Sequence, residues 1–245
     1  GYLSEEESEE LAYHRFIMTL VIVAASVGLI LIQPDLGSAT VLLACTMGLL
    51  LVAGSKVRYI VSITSLAVLS AAVAVWSGVV RSYQFRRIEA FLNQNSTDSA
   101  LKDVVLQVRF AKRAVATGGI TGKGYLKGPL TNGAFIPVQS TDFVFSAVAE
   151  QFGLIGGAVV IALFTLLLWR IWRISRLSRT RLGQFIAIGA FTMILWQTFQ
   201  NIGMTLGIMP VSGLPLPFVS YGGSHMVAFA AIVGLVQSVH MRRLR

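Results

Sequence analysis

From Leu182 to His240 the chain carries no Lys, Arg, Asp or Glu. A soluble fold could hardly keep so long an uncharged stretch in solution, whereas hydrocarbon suits it, because an ionised group there is costly. The bias is general: 55% of the 245 residues are hydrophobic and only 13% are charged, against roughly a quarter in an ordinary soluble domain. A helix needs about 20 apolar residues to cross a bilayer. Six segments reach or approach that length: residues 16–32, 36–52, 59–80, 154–172, 182–206 and 224–240. The first two are parted only by Gln33-Pro34-Asp35, where the proline breaks the helix. A buried hairpin in a soluble protein would account for one such pair, not for six segments. The expected architecture is all-α: a single polytopic integral membrane domain over residues 1–245, with six transmembrane helices.

The net charge of +9 would suggest nucleic acid in a soluble protein. Here the basic residues fall between apolar spans, where topology and lipid headgroups explain them, so no nucleic acid is expected. Arg170, Arg173, Arg176, Arg179 and Arg181 crowd one connection, Lys56 and Arg58 fill another, and Arg242, Arg243 and Arg245 end the chain. With six spans these places and the N-terminus share a side, which the positive-inside rule makes cytoplasmic. The single cysteine, Cys45, excludes an internal disulfide and a cysteine metal site. His14, His225 and His240 are scattered without metal-ligand spacing.

The long segment 81–153 then lies outside the cytoplasm. It holds nine cations, among them Lys112, Arg113 and Lys123, which form either a solvated basic surface or a site for an anionic partner such as phosphate or acidic lipid. Leu101, Val104, Val105, Val108, Ala111 and Val115 make an apolar stripe at helical spacing. That predicts a basic amphipathic helix over 101–117, suited to the membrane surface. A short re-entrant helix completes the predicted loop architecture. Gly118-Gly119-Ile120-Thr121-Gly122-Lys123-Gly124 follows. It lacks the pattern of a nucleotide P-loop, but its backbone could approach a phosphate beside Lys123.

Asp142 opens an apolar helical stretch that ends at Glu150. An acid in a first helical turn complements the helix dipole. Alternatively, Asp142 is a carboxylate held at the membrane surface for chemistry. Glu150 lies eight residues on, about 12 Å along a helix, which is too far for a glycosidase-like carboxylate pair. Any chemistry here would run on one base. The last connection, 207–223, is apolar yet rich in Gly and Pro. It fits a re-entrant loop packed among helices or the broken helix of a transporter.

Four blocks now carry a resemblance. Gln33-Pro34-Asp35-Leu36-Gly37-Ser38-Ala39, the glycine block at 118–124, Thr141-Asp142-Phe143-Val144-Phe145 with Glu150, and Pro215-Leu216-Pro217-Phe218-Val219-Ser220-Tyr221-Gly222-Gly223-Ser224 resemble, in order and spacing, the signature blocks of the SEDS family. These are polytopic peptidoglycan glycosyltransferases of the bacterial cytoplasmic membrane. Asn201-Ile202-Gly203-Met204 is more similar to the elongation type, RodA, than to the division type, FtsW. The family has ten membrane helices, and the six here correspond to its last six.

The resemblance implies polymerisation of lipid II into glycan strands outside the membrane, beside a class B penicillin-binding protein and among membrane lipids. It implies Asp142 as the catalytic base that deprotonates the acceptor sugar hydroxyl. The leaving lipid pyrophosphate is already an anion and needs no second acid. It needs cations or backbone N–H groups, for which Lys112, Arg113, Gly119 and Lys123 are candidates. The matching blocks add Thr141, Glu150, Ser220 and Tyr221 as substrate-binding candidates. A divalent cation, Mg or Mn, could accompany the pyrophosphate, although no dedicated protein cage for one is visible. Two other classes stay open: a transporter of lipid-linked precursor, and a non-catalytic scaffold for a cell-wall transpeptidase.

Overall fold

The computed structural model describes residues 13–33, 35–56, 58–61, 64–65, 82–96, 98, 101–133 and 135–242. These residues are helical and contain no strand. The helices are α1 (Tyr13–Ile32), α2 (Leu36–Val52), α3 (Ser82–Leu92), α4 (Lys102–Gly118), α5 (Pro129–Asn132), α6 (Val144–Arg176), α7 (Arg181–Leu206) and α8 (Gly223–Arg242). The last three are long and apolar enough to cross a membrane; α1 and α2 contain shorter apolar stretches. Five of the six expected spans therefore coincide with helices. The span expected over 59–80 lies largely outside the described residues.

The chain divides into two compact units. The first takes residues 1–81, 169–196 and 231–245. Within it α1 packs on α2. Asp35 caps α2, accepting from the Ser38 N–H at 3.0 Å and the Ser38 hydroxyl at 2.6 Å. That capping is the local reason for the Asp and Ser of the Gln33–Ala39 block, since a helix N-terminus leaves backbone donors without partners. At Gly48 a Cβ would collide with the Thr192 side chain, so the glycine permits a close approach of α2 and α7. Trp196 Nε1 donates to Thr40 Oγ1 at 3.1 Å across the same contact. At the end of α6, Arg170 and Arg173 lie over the Trp169 ring at 5.4 and 5.8 Å. Aromatic rings among cations are what the edge of a bilayer favours.

The second unit takes residues 82–168 and 197–230. Here α4 forms over nearly the expected residues, but its apolar stripe does not face lipid. Val108, Ala111 and Ala114 are buried in a protein core with Ile136, Phe143, Met204 and Val211. Leu101 and Val105 are buried with Ala90 of α3. The amphipathic pattern is real; its partner is the protein itself.

The glycine block has a second unexpected role. Residues 144–176 are not one helix, because Gly153 breaks them at φ 66°, ψ −161°. The block wraps this break. Gly119 and Ile120 carbonyls accept from the N–H groups of Leu154 and Ile155 at 2.8 and 3.2 Å. In return the N–H groups of Lys123 and Gly124 donate to the Glu150 and Gln151 carbonyls at 2.9 and 3.0 Å. Backbone groups orphaned at the two helix ends are thus satisfied. A Cβ at Gly122 would run into the Gln151 carbonyl, and one at Gly153 into Gly122 and Ile120. The expectation that this backbone approaches a phosphate is corrected for those two amides: they are already hydrogen-bonded.

Candidate active site

Asp142 does not sit in a first helical turn. The helix begins at Val144 and has no acid in its first turn, so Asp142 belongs to the turn just before it. That turn is held at almost every carbonyl. Val138 accepts from the N–H groups of Thr141 and Asp142 at 3.2 and 3.0 Å and from the Thr141 hydroxyl at 3.1 Å. Ser140 accepts from the Tyr221 N–H at 2.9 Å. The Thr141 carbonyl accepts from the Ser220 hydroxyl at 2.5 Å. The Asp142 carbonyl accepts from Asn201 Nδ2 at 2.7 Å. The Phe143 carbonyl accepts from the Ser146 hydroxyl at 2.7 Å. Phe143, only 1% exposed, anchors the turn in the core.

The Pro215–Ser224 block is the other half of this clamp. Ser220 is buried; its oxygen accepts from the Leu216 N–H at 2.7 Å while its proton goes to Thr141. Asn201 is fully buried and splits its amide protons between the Asp142 and Leu214 carbonyls, the latter at 2.8 Å. One side chain thereby ties the Asp142 turn to the Val211–Leu214 segment. In the sequence Asn201 marks only the family type; the fold makes it a tie between two segments.

The Asp142 carboxylate itself is half-buried. It faces Gly213, whose φ of 74° only glycine adopts easily. A Cβ there would lie 3.5 Å from Asp142 Oδ2 and 3.8 and 3.9 Å from the two Nη atoms of Arg87. A carboxylate and a guanidinium thus both lie within 4 Å of the position that a side chain at residue 213 would take. In the sequence Arg87 is one of nine cations in the segment 81–153, and nothing local marks it out.

The remaining candidates fall into two sets. Glu150 is turned inward: it is fully buried, and its oxygens accept from the Leu130 and Thr131 N–H groups, each at 2.8 Å, and from the Thr131 hydroxyl. It caps the short helix α5, and both of its oxygens are engaged there. Thr141 and Ser220 likewise spend their hydroxyls inside the clamp. Lys112 is half-buried and donates to Gln94 Oε1, whose amide in turn donates to the Gly207 carbonyl at 2.9 Å. Arg113, Gly119, Lys123 and Tyr221 are exposed, Tyr221 by 80%. A groove of about 850 Å³ runs beside the Asp142 turn, lined by Val138, Ser140, Val144, Val219, Tyr221 and Met226 among others. Among the described residues no three His, Cys, Asp or Glu side chains gather. The donor set about Asp142, one carboxylate with a guanidinium nearby, does not fit a divalent cation cage, and no step is assigned to one.

Residues 2–244 match the family model described as cell cycle protein, FtsW, RodA and SpoVE. The chain is similar to the peptidoglycan glycosyltransferase MrdB of Escherichia coli K12, at 33% identity over 92% of this chain and 60% of the relative. It is similar to stage V sporulation protein E of Bacillus subtilis, at 34% identity over 97% of this chain and 63% of the relative. Among solved structures it resembles a chain of a peptidoglycan synthase complex described as coordinating polymerization and crosslinking. There the TM-score is 0.80 and the identity 30%, over 98% of this chain and 65% of that one. It also resembles the rod shape determining protein RodA of Thermus thermophilus, with a TM-score of 0.63 and 28% identity, over 98% of this chain and 60% of that one. The chain thus spans about 60% of the length of the relatives it matches.

Proposed function

This chain belongs to the FtsW, RodA and SpoVE family of cell cycle proteins, and on that premise we propose that it is the glycan-polymerising part of a peptidoglycan glycosyltransferase. The reading rests on one observation above the others. Asp142 is a single carboxylate on a turn whose carbonyls are tied down from several elements. Holding a base in one geometry before substrate arrives is how a site lowers a barrier without reorganising during the reaction.

The reaction assigned to it is a displacement. The 4-hydroxyl of one lipid II attacks the anomeric carbon of another glycan chain; a C–O bond forms there as the bond to pyrophosphate breaks. The electron pair leaves on the pyrophosphate, and the hydroxyl proton passes to Asp142 as general base. Ser220 and Asn201 act on substrate only through the Asp142 turn they hold, and Glu150 only through the short helix α5 that it caps. The apolar groove beside that turn suits the lipid part of such a substrate, and the exposed Tyr221 at its edge the headgroup region.

We place the protein in a bacterial cytoplasmic membrane, with Asp142 on its outer side and the arginine-rich connection after α6 inside. A crosslinking transpeptidase of the class B penicillin-binding type is the proposed partner; the similarity to a chain of a complex that coordinates polymerization and crosslinking supports it. The decisive experiment compares wild type with Asp142→Asn for glycan strands made from lipid II by the purified membrane protein. Loss of about 100-fold or more is expected, the usual worth of a positioned base. Near-normal product from the variant would overturn the assignment, and movement of lipid II between leaflets without glycan would favour transport.

A further inference from the structure

We propose that a second cavity of the segment 81–153, formed between α4 and the loop before Asp142, binds sugar units of the growing glycan strand. The inference rests on the glycosyltransferase reading and gives the strand a place to lie. The cavity has a volume of about 370 Å³ and is lined by Asp103, Leu106, Gln107, Phe110, Phe135 and Pro137. The first four fall at i, i+3, i+4 and i+7 of α4, so they make one stripe along the helix. It is not the core stripe: Val105, Val108 and Ala111 are buried, whereas Asp103 is exposed and Gln107 half-buried. Phe135 and Pro137 come from the loop. The Phe110 and Phe135 rings pair with their centroids 5.7 Å apart, yet Phe135 stays 51% exposed.

The lining has the make-up that a sugar calls for. A pyranose ring is amphipathic: its C–H face packs on an aromatic ring, and its hydroxyl and N-acetyl groups stand at the edge. Aromatic faces carry partial negative charge, which attracts such C–H groups. Beside the rings, Asp103 can accept from hydroxyls, and Gln107 can both donate and accept. A lipid chain would use neither polar group. The position fits as well. Ile136, Val138, Gln139 and Ser140 line the groove beside the Asp142 turn, while Phe135 and Pro137 line this cavity. One loop, 135–140, therefore borders both and leads directly into that turn. Phe110 packs against the same core that anchors Phe143, the neighbour of Asp142. With the donor's lipid in the groove and its anomeric carbon at Asp142, the sugars already joined have a cavity across that loop to rest in. A strand held there keeps a high effective concentration between additions. The contact therefore serves strand length.

The test separates binding from turnover. Purified Asp142→Asn protein is titrated by calorimetry with a lipid-free, peptide-free tetrasaccharide of the peptidoglycan repeat, and saturable binding is expected. Adding Phe135→Ala is expected to weaken that binding about tenfold, as truncation of an aromatic anchor does. Phe135→Trp keeps a ring and is expected to bind as its parent does, a recovery that a merely structural defect would not show. Asp103→Ala changes an exposed side chain and is expected to weaken binding about fivefold, the worth of a hydrogen bond to a charged group. It carries the test if Phe135→Ala fails to fold. With Asp142 present, Phe135→Ala is expected to make shorter strands from lipid II than its parent makes. Three results would each overturn the subsite: no binding of the tetrasaccharide, equal binding in parent, Phe135→Ala and Asp103→Ala, or binding that appears only once stem peptides are attached. Glycan synthesis by the Asp142→Asn protein would instead overturn the catalytic assignment, and the titration still reads the subsite directly.

Discussion

A carboxylate becomes a usable base when its backbone cannot drift, and here Asn201 is the residue on which that depends most. It is fully buried and donates to the Asp142 and Leu214 carbonyls at once. Asn201→Leu removes both bonds and leaves two carbonyls short of a donor, at a cost of about 1–3 kcal/mol. The turn then loosens. An ångström of misplacement is enough to lower a rate by about 100-fold. The expected outcome is a fall in kcat for glycan formation with little change in the KM for lipid II. A variant that instead raises KM at unchanged kcat would show that Asn201 serves binding. Asp142 could be singled out from the sequence because it is an acid opening an apolar stretch beside a basic loop. Arg87 and Gly213 could not. Nothing local separates Arg87 from its neighbour Arg86, and a glycine in a loop of glycines and prolines looks like a simple breaker. Their proximity to Asp142 arises only where α3 and the 207–222 connection meet the Asp142 turn.

At the level of elements, the same glycine block that suggested a phosphate cradle is a clasp around a broken helix. Four hydrogen bonds join it to the two sides of Gly153. Its glycines are required by approach of backbone to backbone, a constraint that leaves the same trace in a sequence as approach to a ligand. The amphipathic helix is a parallel case. Periodicity correctly located α4, but it reports only that one face avoids water, and protein core satisfies that as well as lipid does. These readings lead to a paired prediction. Gly153 lies in a region of backbone conformation that is almost confined to glycine, and a Cβ there meets Gly122 and Ile120. Gly153→Ala should cost about 1–3 kcal/mol and lower the melting temperature of the detergent-solubilised protein, followed by tryptophan fluorescence. Gly234 sits inside α8 with nothing within 4 Å of its would-be Cβ. Gly234→Ala should leave the melting temperature unchanged or raise it slightly, since glycine in a helix costs about 0.5–1 kcal/mol against alanine. Equal melting shifts in the two would sink the clasp interpretation.

For the molecule as a whole, the consequence that matters is which side of the membrane each end of α6 faces. Beyond Gly153 the helix runs to Arg176. At 1.5 Å per residue that is about 35 Å, more than the roughly 30 Å of hydrocarbon in a bilayer. Large apolar side chains along it, Leu154, Ile155, Val159, Leu163 and Leu166, are exposed; on a chain of this composition that surface belongs in lipid. One end is hydrogen-bonded to the glycine block that contains Lys123. The other carries Arg170, Arg173 and Arg176 and leads into the turn with Thr180. The orientation proposed above puts Lys123 outside and Thr180 in the cytoplasm. Because Cys45 is the single cysteine, Cys45→Ala provides a background in which one introduced thiol reports its own position. In intact cells, Lys123→Cys should react with a membrane-impermeant maleimide and Thr180→Cys should not. After permeabilisation both should react, since both positions are exposed. Labelling of Thr180→Cys alone in intact cells would invert the orientation and put Asp142 on the wrong side for glycan synthesis. Labelling of both there would mean that this part of α6 does not span.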